Sequence, residues 1–500
     1  MTAIAAWAAT ALAVAVFTLH AAVSSNYDFY RDELYFIVCG QHPAFGYVDQ
    51  PPLIPLLAAA SQHLGESRAA IHLIAALGGP ATVLVACATV RLLRGSLWAQ
   101  LLAGLAAGFA PIFLALASTL STSTFEPAAW GVTAYFLLRA VLAEDRRALV
   151  FAGVVVGIAL ETKYGIPFYV AALLVGLALT PERKLLFTRE FALALGIAAL
   201  LAAPNFIWQW HHGFPIVPVL LNNVEHKDLV LSPLAFTANQ ALMMNPLLAP
   251  VWLAGVVAPF AGPRWHRMRF LSIAFVTVFA AMLVLHAKSY YLSPVYVAEF
   301  AVGAVALERW IRDVRLRNGY LGLAFAASAI LAPLPIPMLA PQQYISYEHA
   351  LGFHDAPVET RAQSEIPQLF ADMTGWHDLA RSVAVAYDRL DRQDRAQAAI
   401  FTYNYGEASA IDLFGGPLGL PKALSGHNNF YLWGPGKADG HVVLLVGAKL
   451  AGLKNECREA SVVGTFGAPF ALPEEHGDIV LCRDLGQGFG AAWTHLRHYD

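Results

Sequence analysis

The chain has 500 residues, of which 57% are hydrophobic and only 13% charged, with a mean hydropathy of +0.53. An ordinary soluble domain is about a quarter charged, so this composition excludes both a water-soluble globule and a disordered chain. A net charge of -3, a pI near 6.6 and four cysteines exclude a basic nucleic-acid-binding surface and a disulfide-stapled scaffold. What remains is a polytopic membrane protein.

Residues 3–23 are an apolar run of spanning length with no basic leader and no cleavage site, and are read as the first membrane span, not a signal peptide. Ten further runs, at roughly 69–90, 97–117, 123–142, 148–162, 164–180, 191–209, 241–260, 270–286, 291–308 and 319–339, bring the expected total to about 11 spans. The fifth and sixth are short and meet at Glu161-Thr162-Lys163, charges that are costly in lipid unless they face a polar cavity or the interface. Basic residues cluster in alternate loops: Arg91 and Arg94; Arg139, Arg146 and Arg147; Arg183, Lys184 and Arg189; Arg264, Arg267 and Arg269; and Arg309 through Arg317. The positive-inside rule then places the N-terminus in the cytoplasm and everything after residue 340 outside.

Between the first two spans lies an unusually long loop, residues 24–68. Two stretches of it, Leu34–Cys39 and Leu53–Leu64, read as short interfacial helices. Beside them stand Asp28, Arg31, Asp32, Glu33, His42 and Asp49, carboxylates that need partners next to apolar surface. Taken by pattern alone, Asp32 reads equally as the cap of a helix beginning at Glu33, with Glu33 a favourable first-turn acid. Asp49 before Gln50-Pro51-Pro52 reads as a turn acid ahead of a proline-opened helix.

From about Ala340 the composition turns polar and no run reaches spanning length, so the expected division is a membrane domain, 1–339, followed by a soluble α/β domain, 340–500. Within the latter, Asp378–Leu390 reads as an amphipathic helix, and Ala398–Tyr403, Val442–Gly447 and Asp478–Cys482 as strands. Asn404-Tyr405-Gly406-Glu407 makes a turn into Ala408–Leu413, and Ser425–Trp433 is a polar, aromatic loop that either binds something or caps the sheet. Gly434-Pro435-Gly436 sits in no strand–turn–helix frame, which disfavours a nucleotide. Cys457 and Cys482 are free to pair if this domain is periplasmic, or to remain two core thiols.

The run Tyr30–Phe36 (YRDELYF) followed by Gly46–Leu57 (GYVDQPPLIPLL) resembles the first outer loop of family 39 glycosyltransferases, the protein O-mannosyltransferases and their bacterial relatives, and more distantly the lipid A aminoarabinose transferase. Further segments resemble the same family in order along the chain: Ser123–Pro127, Leu160–Tyr164, Asn205–Gln209 with Leu231–Leu234, Lys288–Pro294, and in the outer domain Asn404–Ala408 and Ser425–Asn429. The resemblance implies a GT-C fold in a bacterial inner membrane and an inverting transfer of sugar from a polyprenyl-phosphate carrier to an extracytoplasmic glycolipid, polysaccharide or protein. It implies no obligatory cofactor or metal.

By position, Asp32 matches the first acid of the family's pair, which carries the base role, and Glu33 the second; Asp49 is expected to shape the sugar or acceptor pocket. A departing phosphate needs cations or donors, and Gln50 supplies no charge. Lys288, Lys163 and Arg31 are therefore the expected phosphate partners. Each has a bland alternative: an interfacial anchor for Lys288, a pair with Glu161 or Glu126 for Lys163, and a clamp on Asp28 or Glu33 for Arg31. Gln50, Glu126, His42, Tyr290 and Tyr291 complete the candidate substrate-binding set, although the tyrosines also suit an aromatic belt and Glu126 a helix N-terminus. His42, His211 and His212 have no tight metal-ligand spacing. The competing classes are a transporter, which should show paired repeats and broken midplane helices, and a carrier-lipid binder without chemistry.

Overall fold

A computed structural model of the chain describes residues 3–65, 67–223, 229–353, 359–360, 362–453, 456–486 and 488–500. The chain forms two compact units, one of Met1–Asn26, Ala69–Trp208 and Asp228–Leu339, the other of Tyr27–Arg68, Gln209–Lys227 and Ala340–Asp500.

The first unit is helical because its apolar runs must satisfy every backbone group internally. Among the described residues, five helices are long and apolar enough to cross a membrane: Ala6–Val23, Arg68–Leu92, Arg189–His211, His266–Val284 and Ser289–Trp310. Leu97–Phe109, Arg147–Leu160 and Ile166–Ala178 are shorter apolar helices, and Glu126–Leu142 and Val314–Leu331 occupy two further expected spans. The core is a stack of large buried rings and small residues, with Trp130 and Tyr169 parallel at 4.7 Å. The expected continuous span 241–260 is instead broken: Pro233–Met243 and Pro246–Phe260 meet at 91°. Asn245 at the break has a positive φ of 67°, and Pro246 lacks the N–H a continuing helix would need.

The units divide at Leu339/Ala340, and the second also takes in Tyr27–Arg68 and Gln209–Lys227 from the earlier part of the chain. The Arg31–Gln41 helix buries Leu34, Tyr35, Phe36, Ile37 and Val38 together, too much apolar surface for a plain linker. It packs on Leu53–Gln62 and on Tyr405–Phe414. At the second contact, a Cβ on Gly406 would collide with the Arg31 side chain.

Five strands, β1 (Ala399–Thr402), β2 (Ala423–Ser425), β3 (Val442–Val446), β4 (Cys457–Phe466) and β5 (Gly477–Leu485), form one sheet in the order β2-β1-β3-β5-β4. β1 is parallel to β2 and β3, while β5 runs antiparallel to β3 and β4. All five residues of β3 are buried, as its unbroken VVLLV run requires of a central strand. Cys457 and Cys482 are joined by a disulfide linking β4 to β5. The Ser425–Trp433 stretch, read as loop, contains β2's last residue and a short helix, Asn428–Trp433.

Candidate active site

In the second unit the candidate residues gather at the start of the Arg31–Gln41 helix. The N-cap is Tyr30, not Asp32, and the helix starts two residues earlier than Glu33. Glu33, fully buried, accepts from the Tyr30 N–H at 2.9 Å and so closes the first turn. That frees Asp32 from capping. Its side chain keeps 28% exposure; Oδ1 accepts the Tyr405 hydroxyl at 2.7 Å and lies 3.7 Å from Arg31 Nε. Among the described residues, Oδ2 has no hydrogen-bond partner.

Arg31 clamps neither Asp28 nor Glu33. Its Nη1 lies 3.8 Å from Asp372 and 3.4 Å from Glu474, and its guanidinium sits 5.3 Å from the Tyr405 ring centre. Asp28 instead faces Arg68 at 3.9 Å and His377 at 3.5 Å. Burial pulls the Arg31 pKa down, but the surrounding anions, Asp372 foremost, outweigh it and hold the group well above its ordinary value. A guanidinium shared by three carboxylates is held in place as a strut.

Asp49 accepts the Tyr35 hydroxyl at 3.0 Å, and Asn429 meets the same hydroxyl at 3.2 Å. Asn429 Oδ1 also accepts from the Val48 N–H at 2.7 Å, which fixes the segment before Asp49. Gln50 is buried, and its carbonyl accepts from the Tyr47 N–H at 3.0 Å. His42 follows the helix end, with Nδ1 3.0 Å from the Val38 carbonyl and its ring stacked on Trp433 at 4.4 Å.

In the first unit a different group assembles. Lys163, on the turn between Arg147–Leu160 and Ile166–Ala178, donates to Ser123 Oγ at 2.6 Å and lies 3.5 Å from Glu126 Oε2. Tyr291 and Tyr290 present their rings 4.1 and 5.6 Å from the ammonium. Glu126 is buried at the first position of its helix, and Gly165 leaves the space its Oε1 occupies, so a larger residue there would push the carboxylate aside. Lys288 is half-buried just before the tight Ser289–Val295 helix that presents the two tyrosines. The structure thus brings Glu126, Lys163, Tyr290 and Tyr291 together in one unit, and Arg31, Asp32, Glu33 and Asp49 along one helix–turn segment in the other.

Three residues that the sequence reading did not assign complete the Asp32 environment: Tyr405, Asp372 and Glu474. Only Tyr405 carried a signal, within the Asn404–Ala408 segment. A third cluster, His427, His498 and Asp500, has ligand-type atoms all within 4.8 Å of one another. His427 Nδ1, however, accepts the Tyr405 N–H at 3.4 Å, so Nε2 carries the ring proton and faces Asp500 as a donor.

The family model described as dolichyl-phosphate-mannose-protein mannosyltransferase matches residues 49–208, a segment holding Asp49, Glu126 and Lys163. Lipid A galacturonosyltransferase RgtD of Rhizobium johnstonii is 26% identical over 375 residues, covering 70% of this chain and 76% of that protein. These matches together support a glycosyltransferase of a GT-C, family 39-like kind. Its fold is that of ArnT from Cupriavidus metallidurans. The undecaprenyl-phosphate complex of ArnT aligns over 95% of this chain and 97% of its own with a TM-score of 0.59 at 15% identity. The apo form aligns over 96% and 98%, with a TM-score of 0.59 at 16% identity. This family 39-like enzyme is accordingly a multi-pass membrane protein whose small sheet-containing portion follows the helical one in sequence.

Proposed function

We propose that the enzyme moves a sugar from a polyprenyl-phosphate carrier to a hydroxyl of a glycolipid on the outer side of the membrane, with Asp32 as general base. One observation carries the base assignment. The Asp32 carboxylate is oriented through one oxygen by Tyr405 and Arg31, while its other oxygen stays open. A hydroxyl is a poor nucleophile near neutral pH and needs such an acceptor within hydrogen-bond reach. In the step, the acceptor oxygen forms a bond to the anomeric carbon, and the bond from that carbon to the phosphate oxygen breaks. The hydroxyl proton passes to Asp32, and the electron pair leaves with the carrier phosphate.

The leaving phosphate gains charge and needs a cation. Lys163 is proposed for that role, with Lys288 beside the tyrosine-bearing turn as a second. A lysine ammonium between one carboxylate, one hydroxyl and two aromatic faces has a partner it can exchange for an incoming phosphate. Glu126 holds it ready in the meantime. Asp49, fixed by Tyr35, is proposed to shape the sugar or acceptor pocket, and Glu33 to keep the helix start in place.

The carrier is suggested by ArnT, whose structure holds undecaprenyl phosphate, and the acceptor class by RgtD, named for lipid A. Placement of the second unit outside the inner membrane is supported by the alternating basic loops and by the Cys457–Cys482 disulfide, a bond that persists in oxidising compartments. The test is mass spectrometry of lipid A after incubation of the purified enzyme with polyprenyl-phosphate sugars. A lipid A mass gain of one sugar residue is expected for wild type and not for Asp32→Asn. A gain on protein or polysaccharide alone would move the acceptor assignment.

A further inference from the structure

The second unit contains a pocket of about 620 Å³ whose walls include Arg31, Tyr405, His427, Glu474, His498 and Asp500. Gly447 aside, every residue around it carries a polar side chain. These side chains need hydrogen-bond partners when covered, which an acyl or polyprenyl chain cannot supply. Nor do they suit a phosphate. Arg31 is already shared by Asp32, Asp372 and Glu474, the His427 ring proton faces Asp500, and His498 Nε2 lies 3.6 Å from the same carboxylate. What the pocket does present is an even mixture of donors and acceptors, the pattern that recognises ring hydroxyls. Glu407, deep in the same wall, adds to this: burial, and then the Glu475 carboxylate, raise its pKa well above the usual range, towards a neutral hydroxyl-bearing group.

The pocket is one phenol away from the proposed base, because the Tyr405 hydroxyl that borders it donates to Asp32 Oδ1 at 2.7 Å. We propose that this pocket holds an uncharged or amino saccharide ring of the acceptor, and that Tyr405 is a positioning residue that aims Asp32 at the acceptor hydroxyl. The proposal rests on the reading of Asp32 as base. It divides the work: the far wall, at His498, grips the acceptor, and Tyr405 acts through Asp32 on the chemical step.

The experiment is steady-state kinetics of the full-length enzyme with a polyprenyl-phosphate sugar and lipid A. His498→Ala, Tyr405→Phe, Asp32→Asn and the Tyr405→Phe/Asp32→Asn pair are compared with wild type. The backbone of His498 is anchored independently of its ring, by the Gly426 carbonyl and the Asn428 N–H, so His498→Ala keeps the local fold. It should raise the acceptor KM about tenfold while leaving the donor KM in place. Tyr405→Phe should lower kcat about tenfold or more with little change in acceptor KM. It should cost nothing further on the Asp32→Asn background, a coupling that a merely structural tyrosine would not show. The soluble disaccharide backbone of lipid A, freed of acyl chains and phosphates, should compete with the acceptor in wild type and less well in His498→Ala; inorganic phosphate should not.

An unchanged acceptor KM in His498→Ala, a rise in donor KM instead, or competition by phosphate alone would overturn the pocket assignment. Full additivity of Tyr405→Phe and Asp32→Asn would overturn the positioning role. Normal turnover by Asp32→Asn would overturn the base, and is read separately from the His498 result.

Discussion

Each unit sets a cation against acidic side chains, and the two do so in different proportions. In the second, Arg31 is shared by Asp32, Asp372 and Glu474. In the first, Lys163 has Glu126, a serine hydroxyl and two tyrosine faces. The planar guanidinium of Arg31 sits among more negative charge than it can balance, and its fixed donors tie separate chain segments together. The Lys163 ammonium is a compact charge on a flexible stem with a single carboxylate to exchange. The difference separates a cation that holds shape from one available to a ligand, although the two look alike in sequence.

Removing the exchangeable cation should have the largest effect. Lys163→Ala is expected to lower kcat about 10²–10³-fold, the usual cost of losing one group that meets developing charge, measured by turnover at saturating donor. Near-normal turnover would break the comparison and leave Lys288 as the phosphate partner. Next, replacing Cys457 and Cys482 by Ser should destabilise the second unit by about 2–4 kcal/mol, read by hydrogen exchange on β4 and β5. The same change should leave the helices around Lys163 unaltered.

Asp372→Asn tests the strut. Asp372 is fully buried, and losing its charge should cost about 1.5–3 kcal/mol of stability. On the proposed division of roles, with Arg31 as strut and Lys163 at the phosphate, donor KM should stay in place. A large rise in donor KM with intact stability would reverse the two roles.

The smallest effect concerns pH. Glu407 is raised above its unfolded value, so between that value and its folded pKa the folded state holds a proton that the unfolded state has lost. The stability of the second unit should therefore fall as pH rises above about 4.5 through the folded pKa, and Glu407→Gln should flatten that dependence. Thermal unfolding followed from acid to neutral pH checks it; an unchanged slope in the variant would assign the dependence elsewhere.

Much of the helical frame was legible, because length and apolarity alone define a spanning run, and the charged turn at Glu161–Lys163 announced the short pair on either side. The break at Asn245 was missed because the residues around it are continuously apolar; the Asn-Pro dipeptide was the overlooked signal. β3 was legible from VVLLV. β4 was not, since its burial follows no clean alternation, and β2 is only three residues long. Asp32 was found through family resemblance. Its partners were out of reach, because Tyr405 lies 373 residues away in sequence and nothing in a local pattern specifies such a contact. The same holds for Arg31, because Asp28 and Glu33 are its neighbours in sequence while its partners Asp372 and Glu474 lie far along the chain.

The central claim is that Asp32, oriented by Tyr405 and Arg31, takes the acceptor proton. Its most direct test is turnover of Asp32→Asn and Asp49→Asn, each measured beside binding of the polyprenyl-phosphate donor. Asp32→Asn should lose about 10²–10⁴-fold in kcat with donor binding nearly intact, and Asp49→Asn should retain measurable turnover. Near-normal turnover in Asp32→Asn with an inactive Asp49→Asn would contradict the account and make Asp49 the base.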